Sequence, residues 1–188
     1  KVVFADVDRK TLCIDINDVE RKITDNTKAI VPVHYAGHPC DMDELYELAR
    51  EKGIAIVEDA AHACGAEFKG RRIGTVSPLT CFSFHAVKNL ACGEGGMITT
   101  SNKEHYDKLM KLRWMGISKD TWKRSAEDKV YAWHYYVEHL GFKAHLNDLH
   151  SAIGIEQLKR LDKNNARRRQ IVNRYNQELK QIEWVETR

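Results

Sequence analysis

The sequence lacks several features that would each point to a particular class of protein. It has no apolar run long enough to cross a bilayer, and its first segment, 1–8, does not have the layout of a signal peptide. Its five cysteines stand singly with no C-x-x-C pair, so neither a disulfide framework nor a zinc site is indicated. Its net charge is only +3, an excess too small and too dispersed to favour nucleic acid as a partner. We therefore expect a cytoplasmic protein without membrane or nucleic-acid partners.

The composition is that of a globular protein. Charged residues make up 30% of the 188 residues and apolar residues 43%, with both signs of charge mixed throughout. In the first half of the chain, short apolar runs alternate with segments of helical period, which is typical of strand-helix-strand units. The pattern predicts an α/β fold.

Turn and capping residues delimit the predicted elements. The first predicted helix follows Asp41 and ends at Gly53, and a second follows the capping box Ser101-Asn102-Lys103-Glu104. A long amphipathic helix is expected from Asn147, kinked or broken near Asn164-Asn165. We expect 60–78 to be irregular, and 114–139 shows no clear periodicity. Strands are predicted at 29–33, 54–57, 80–84 and 97–100.

Polar residues at strand ends are the first candidates for chemistry, because ligands of open parallel sheets bind beyond the carboxyl ends of the strands. Glu58 and Asp59 occupy such an end. Ser83 lies in a later strand, and Lys88 precedes the turn Gly93-Glu94-Gly95-Gly96. Taken alone, each is a weak indication, since strand-end acids often cap helices and such lysines are usually solvated.

The spacing of these residues, however, closely resembles the DegT/DnrJ/EryC1/StrS family of sugar aminotransferases. The resemblance covers most of the chain and implies part of the large domain of a fold type I pyridoxal-phosphate-dependent transferase, with a mostly parallel sheet flanked by helices. It looks most like enzymes that aminate the 4-keto position of a nucleotide-linked sugar, as in the 4-amino-4-deoxyarabinose branch. The segments that carry the resemblance are 4–8, 27–37, 58–65, 81–90, 93–96 and 148–161.

The resemblance implies two catalytic residues. Lys88 would hold pyridoxal 5′-phosphate as a Schiff base and, once displaced by the substrate amine, act as general acid and base. A buried lysine suits both tasks. Asp59 would pair with the pyridine nitrogen and keep it protonated, because a cationic ring accepts electrons from the substrate carbon far better than a neutral one.

Further cofactor contacts follow from the same resemblance. Ser83 would bond the cofactor phosphate, and His62 would lie against or beside the ring, although many relatives carry Gln there. Ala61 is small where the ring must approach the backbone closely. Many members place an Asn at the position of Lys143, where it reaches the phosphate of the partner subunit. Lys143 is the candidate for that contact as a point charge, and His145 is another.

Family members are considerably longer than this chain, so we expect a fragment. The expected division is a cofactor-binding large-domain portion, 1–146, followed by a long helix, 147–188, that leads toward an absent small domain. The absent leading part would supply a helix N-terminus for the phosphate, and the absent trailing part would complete the substrate cleft. The resemblance also implies a homodimer, since family sites are built between two subunits.

Three functions remain open from the sequence. The first is transamination of a nucleotide-linked keto sugar with glutamate as amino donor. The second comes from relatives that dehydrate such sugars and carry His in place of the lysine, so that Lys88 favours amination. The third is a catalytically silent fragment or interaction module.

Two other features have simpler explanations than a binding site. His34, His38 and Cys40 resemble metal ligands, but Gly37 and Pro39 interrupt any helical face and no fourth ligand is evident, so no metal is expected. The basic residues around 159–169 are most simply the solvated face of the long helix, with sugar-nucleotide pyrophosphate contact as the alternative.

Overall fold

The computed structural model describes residues 1–118 and 135–187. The chain forms two compact units: unit 1 comprises Lys1–Thr99 with Asp148–Arg188, and unit 2 comprises Thr100–Asn147. The stretch without clear periodicity was 114–139, and most of it, 119–134, lies outside the described residues.

A mostly parallel arrangement of strands forms the centre of unit 1. Strand β1 (Ala29–Ile30) pairs in parallel with β2 (Ala55–Ile56), and β3 (Glu58–Asp59) pairs in parallel with a later strand over Thr80–Ser83. The first pairing continues beyond β1, since Val33 forms a parallel bridge with Asp59. The stretches 29–33, 55–59 and 80–83 therefore run side by side in one direction, as their apolar runs predict.

Unit 1 also contains two short helices and a short hairpin. Helix α1 (Ile16–Lys22) begins after Asp15, and α2 (Met42–Lys52) begins after Asp41, whose carboxylate accepts a hydrogen bond from the Glu44 amide. Gly53 ends α2 in the left-handed conformation, as predicted. The hairpin of β4 (Glu67–Phe68) and β5 (Arg71–Arg72) lies within the segment predicted to be irregular. Buried residues from α1, α2, β1 and β2 form the main core: Val19, Ile30, Met42, Leu45, Leu48, Ala49 and Ile56.

The remaining strands complete the sheet near the candidate site. Strand β6 (Thr80–Ser83) lies between β3 and β7 (Gly96–Thr99), and β7 runs antiparallel to it. Gly96 lies so close to the Phe82 carbonyl that a Cβ there would stand 2.7 Å from its oxygen. Strand β7 therefore requires glycine at this position.

The described residues of unit 2 form one helix and two isolated bridges. Helix α3 (Lys103–Leu112) has Asn102 as its N-cap, which accepts hydrogen bonds from the Glu104 and His105 amides. The predicted capping box has Ser101 as its first residue, so the observed N-cap, Asn102, lies one residue later than predicted. Beyond it, Trp114 pairs with Lys143 and Ile117 with Val137.

The long helix, α4 (Asp148–Leu179), is continuous, so the predicted break near Asn164-Asn165 is wrong. Asparagine disfavours helix interiors because its side chain competes for local backbone groups. Here the Asn165 amide is engaged elsewhere and donates to the Cys64 carbonyl at 3.1 Å. Helix α4 belongs to the same compact unit as 1–99, whereas a boundary before residue 147 was expected. Among the described residues, no helix is both long and apolar enough to cross a membrane.

Candidate active site

The two acids of β3 point to opposite sides of the sheet, because side chains alternate along a strand. Glu58 is buried, with 2% of its surface exposed, and it hydrogen-bonds Thr80 on the neighbouring strand β6. Asp59 is half-buried and lies on the other face. Only Asp59 is therefore available to a ligand above that face.

Asp59 and Ser83 share this face. The strand register pairs Asp59 with Cys81, and Ser83 follows Cys81 by two residues, which returns it to the same side of the sheet. Burial raises the pKa of the Cys81 thiol, and the nearby Asp59 carboxylate raises it further, as expected for neighbours on one face. Parallel pairing thus brings the predicted acid and the predicted hydroxyl to the same edge of the sheet.

The Asp59 carboxylate is fixed on one side by the following turn. Its Oδ1 atom accepts a hydrogen bond from the Ala61 amide at 2.9 Å. Ala60 beneath it is fully buried, and Ala61 is half-buried. Among the described residues this is the hydrogen bond that holds the carboxylate, so Oδ2 remains able to accept a bond from a ligand.

His62 lies against the turn that follows β1. Its Nδ1 atom accepts a long hydrogen bond, 3.4 Å, from the Ala36 amide, and its ring meets the edge of Tyr35 at a centroid distance of 6.2 Å. Gly37 adopts φ +85°, and a Cβ there would lie 3.1 Å from the His62 carbonyl oxygen. The turn at Tyr35–Gly37 therefore packs directly on the residues that follow Asp59.

Lys88 stands in a loop whose ends are firmly anchored. Phe84 donates its amide to Gly95 and accepts at its carbonyl from Cys92, at 2.8 and 2.9 Å. Within the loop the Lys88 amide bonds the His85 carbonyl, and the side chain is half-buried rather than buried as expected. Within 1–118 and 135–187, neither an ion pair nor a side-chain hydrogen bond engages the Lys88 amine. The described residues thus leave the Lys88 amine without a side-chain partner.

Side-chain amides that the sequence analysis did not select tie this loop to the segment after Asp59. The Cys64 carbonyl accepts hydrogen bonds from Asn89 at 2.6 Å and from Asn165 of α4 at 3.1 Å. Asn165 in turn accepts from Arg168 at 3.0 Å. The residue next to Lys88 and the loop beyond His62 are therefore held by one helix. The sequence signal for this contact was the pair Asn164-Asn165, which was interpreted as a break in the helix.

The remaining predicted residues belong to unit 2. Lys143 is exposed and its backbone forms the bridge with Trp114. His145 packs edge-on against the Trp114 ring at a centroid distance of 4.4 Å. Lys143 is therefore not among the residues that unit 1 brings together, and its contact with a phosphate stays a prediction.

His34, one of the three residues considered as metal ligands, is engaged in hydrogen bonds. His34 is fully buried; its Nε2 atom lies 3.0 Å from the Glu58 carboxylate and its Nδ1 accepts from the Cys40 amide. Both ring nitrogens are thus occupied. The described part of the chain contains no group of three or more His, Cys, Asp or Glu residues arranged to hold a metal ion.

Comparison with known proteins identifies the relatives of this chain. The model of the DegT/DnrJ/EryC1/StrS aminotransferase family matches residues 1–188. An uncharacterized protein of Methanocaldococcus jannaschii is 46% identical over 187 residues, which are 100% of this chain and 48% of that protein. The spore coat polysaccharide biosynthesis protein SpsC of Bacillus subtilis is 46% identical over 180 residues, 96% of this chain and 46% of SpsC. The chain thus spans about half the length of the curated relatives it matches.

Solved structures give the same result. AtS13 of Actinomadura melliaura has a TM-score of 0.85 and 36% identity, covering 97% of this chain and 48% of its own. DesV of S. venezuelae, solved with a ketimine intermediate, has a TM-score of 0.81 and 37% identity over 93% and 44% of the two chains. The sugar aminotransferase Spr1654 of Streptococcus pneumoniae, in its PMP form, has a TM-score of 0.84 and 32% identity over 94% and 49%. These likenesses confirm the predicted fold class, a partial α/β domain of fold type I.

Proposed function

The chain belongs to the DegT/DnrJ/EryC1/StrS aminotransferase family, and we propose that it forms the cofactor-holding part of an enzyme that transfers an amino group to a keto sugar. One observation carries this proposal. Asp59 and Ser83 lie on one face at the carboxyl ends of neighbouring parallel strands, and Lys88 follows in the next loop.

The chemical groups present fit pyridoxal 5′-phosphate. The cofactor offers a ring nitrogen that donates a hydrogen bond when protonated, a phosphate that accepts several, and an aldehyde that reacts with an amine. Asp59 retains a carboxylate oxygen for the first, Ser83 has a hydroxyl for the second, and the amine of Lys88 suits the third. When bound, this cofactor supplies an electron sink that stabilises negative charge developing on the substrate carbon.

Lys88 and Asp59 would perform the chemistry. The Lys88 amine would hold the cofactor at its aldehyde carbon, with water as the leaving group, and would, once displaced by the incoming amine, carry a proton between the substrate carbon and the cofactor. The Asp59 carboxylate accepts the N–H of the pyridine ring and keeps that nitrogen protonated. Its bond from Ala61 fixes the carboxylate before any ligand arrives, which reduces the reorganisation that binding requires.

The other predicted residues would bind and orient. Ser83 donates its hydroxyl to the phosphate, and Ala61 leaves room above the backbone for the ring. His62, held by the Ala36 amide and beside Tyr35, would cover one side of the ring. Lys143 remains the candidate for a phosphate contact across a subunit interface, with His145 as its alternative.

The finer features of the function are also proposals. We expect a nucleotide-linked sugar as acceptor, aminated at its 4-keto carbon as in the 4-amino-4-deoxyarabinose branch, and glutamate as donor. SpsC, whose name refers to polysaccharide biosynthesis, is consistent with a sugar acceptor. A cytoplasmic homodimer, with 1–146 as part of the large domain and 147–188 leading toward a small domain, completes the proposal.

Reductive trapping tests the proposal. The full gene product is incubated with pyridoxal phosphate, reduced with borohydride and digested, and the modified peptide is identified by mass spectrometry. We expect one pyridoxyl group on Lys88, none in Lys88→Arg, which keeps the charge but lacks the amine, and normal modification in Lys159→Arg, an exposed control on α4. A folded wild-type protein that is unmodified, or modified chiefly at another lysine, would refute the assignment and favour a silent module.

A second measurement separates amination from dehydration. Addition of glutamate to the cofactor-loaded protein should remove the visible absorbance band of the bound cofactor, because the amino group is transferred to it. A band that persists with glutamate would exclude glutamate as donor. Lys88 at this position favours amination, since the dehydratase-type relatives carry His there.

A further inference from the structure

Beneath the proposed site lies a buried polar network centred on Glu58. Its Oε1 accepts the Tyr46 hydroxyl at 2.7 Å, and its Oε2 faces the His34 ring at 3.0 Å and the Thr80 hydroxyl at 3.4 Å. His34 and Thr80 are fully buried. Burial by itself would raise the pKa of Glu58, but the hydrogen bonds from His34 and Tyr46 outweigh it and hold that pKa below its usual value. The group is therefore a carboxylate, on the sheet face opposite the proposed cofactor.

The direction of the His34 bond follows from the backbone, and the Tyr46 and Thr80 hydroxyls donate because an ionised carboxylate only accepts. The Cys40 amide donates to His34 Nδ1 at 3.1 Å, so that nitrogen is an acceptor and the ring proton lies on Nε2, facing Glu58. Three donors thus converge on one carboxylate. Removing a single member would leave a buried polar group without its partner, and this destabilises a protein more than removing both partners.

His34 connects the network to Asp59. Its backbone amide donates to the Asp59 carbonyl at 3.0 Å, and the Asp59 amide donates to the Pro32 carbonyl at 2.9 Å. The two peptide groups that flank the Asp59 side chain are therefore held by the segment Pro32 to His34, which follows β1. On its other edge β3 is bonded toward β6, where the Glu58 amide donates to the Leu79 carbonyl at 2.9 Å and the Ala60 amide to the Cys81 carbonyl at 2.8 Å. The chain then continues from His34 into the turn whose Ala36 amide contacts His62.

We propose that Glu58 is a positioning residue, which acts through His34 to hold Asp59 and His62 in the geometry that the cofactor requires. The inference rests on the proposed function. Glu58 touches neither cofactor nor substrate, since it faces the other side of the sheet. Its loss would let the segment at His34 shift relative to the end of β3, and a shift of about 1 Å at a reacting group costs on the order of a hundredfold in rate.

Glu58→Gln in the full gene product is the first test. The substitution keeps the shape of the side chain but replaces an acceptor oxygen by a donor, so the three donors can no longer all be satisfied. We expect kcat to fall about ten- to a hundredfold, as for other groups that orient an active-site ligand, with KM for glutamate within about threefold. A loss of stability with kcat per bound cofactor unchanged would show that the network is structural only, and would overturn the inference.

The second readout reports directly on Asp59. With ¹⁵N-labelled pyridoxal phosphate bound, the chemical shift of the pyridine nitrogen distinguishes its protonated from its neutral form. Glu58→Gln should move this shift toward the neutral value, because a displaced carboxylate no longer holds the proton. An unchanged shift would contradict the inference whatever happens to the rate.

Two further variants keep the test decisive. Leu48→Ala removes a buried core side chain of α2 that is outside the network, and it should lower stability without changing either readout. Tyr46→Phe removes one donor and leaves the His34 bond, so it should give the same changes at smaller size, about two- to tenfold in kcat. This variant provides the test if Glu58→Gln does not fold.

If the wild-type protein fails to bind the cofactor at Lys88, the proposed function fails and this inference with it. If it binds normally and both network variants match wild type, only this inference is wrong.

Discussion

Replacing Asp59 by Asn separates the observed hydrogen bond from Ala61 from the proposed bond to the ring nitrogen of the cofactor. The Asn side chain keeps an oxygen at the Oδ1 position, where it can still accept the Ala61 amide now 2.9 Å away, so the turn should survive. At the Oδ2 position it presents an NH₂ group, which cannot accept the ring N–H. A hydrogen bond to a charged group contributes about 1.5–3 kcal/mol. Since 1.4 kcal/mol is about a factor of ten, we expect the affinity for pyridoxal phosphate to fall roughly 10- to 150-fold.

The rate should fall further than the affinity, because the proton on the ring matters most when charge develops on it. Removing one preorganised electrostatic partner lowers kcat by about 10²–10³. Cofactor binding is measured by fluorescence titration, and the glutamate half-reaction by stopped-flow absorbance, which requires no knowledge of the sugar. Asp43→Asn, an exposed acid that pairs with Lys69, is the matched control and should change neither. An Asp59→Asn protein within twofold of wild type in both measurements would refute the role of Asp59.

Three further predictions concern stability and are checked by denaturation. Gly37→Ala should lower the free energy of unfolding by about 1–2 kcal/mol because of its positive φ, and further because the new Cβ would lie close to the His62 carbonyl. The control Gly53→Ala, at φ +65° with nothing within 4 Å of the new Cβ, should show only the first loss. Equal losses in the two variants would contradict the contact with His62. Hydrogen bonding and ion pairing, first from Lys22, lower the pKa of Asp18 from 3.8 to about 2, so its stabilisation is present above pH 3.8 and is lost as pH falls toward 2. Asp18→Asn should therefore flatten the pH dependence of stability between pH 4 and 2, and an unchanged slope would count against the ion pair. Leu161→Ala should lower the free energy of unfolding by about 2–5 kcal/mol, since Leu161 is 3% exposed. Leu158, on the same helix, is 58% exposed, and Leu158→Ala should lower it by less than about 1 kcal/mol. Similar losses in the two variants would show that α4 does not pack as described.

The sequence predicted those elements whose ends carry a local chemical signal. Asp41 and Gly53 delimit α2 because capping depends on a single residue's side chain or backbone freedom. The β4–β5 hairpin was not predicted, since its strands are only two residues long and show no period. Asn165 was misinterpreted because its local preference is overridden by a hydrogen bond to Cys64, 101 positions away in the chain.

The candidate site shows the same division. The resemblance supplied Asp59, Ser83 and Lys88, and the strand register then explained why the first two share a face. The resemblance gave no role to Glu58, which stood out only as a strand-end acid beside Asp59. Its partners come from α2, from β6 and from the segment that follows β1, so no local pattern brings them together.

Glu58 and Asp59 are adjacent acids with opposite environments, and strand alternation alone separates them. On one face three donors converge on Glu58, so its charge is stabilised by internal hydrogen bonds and it is not available to a ligand. On the other face one amide holds Asp59, which leaves an oxygen available. A shift of β3 by one residue against β6 would exchange these positions, and would place Asp59 among buried donors that its shorter side chain reaches poorly. The network around Glu58 therefore stabilises one register of β3, and that register is what exposes Asp59 at the site.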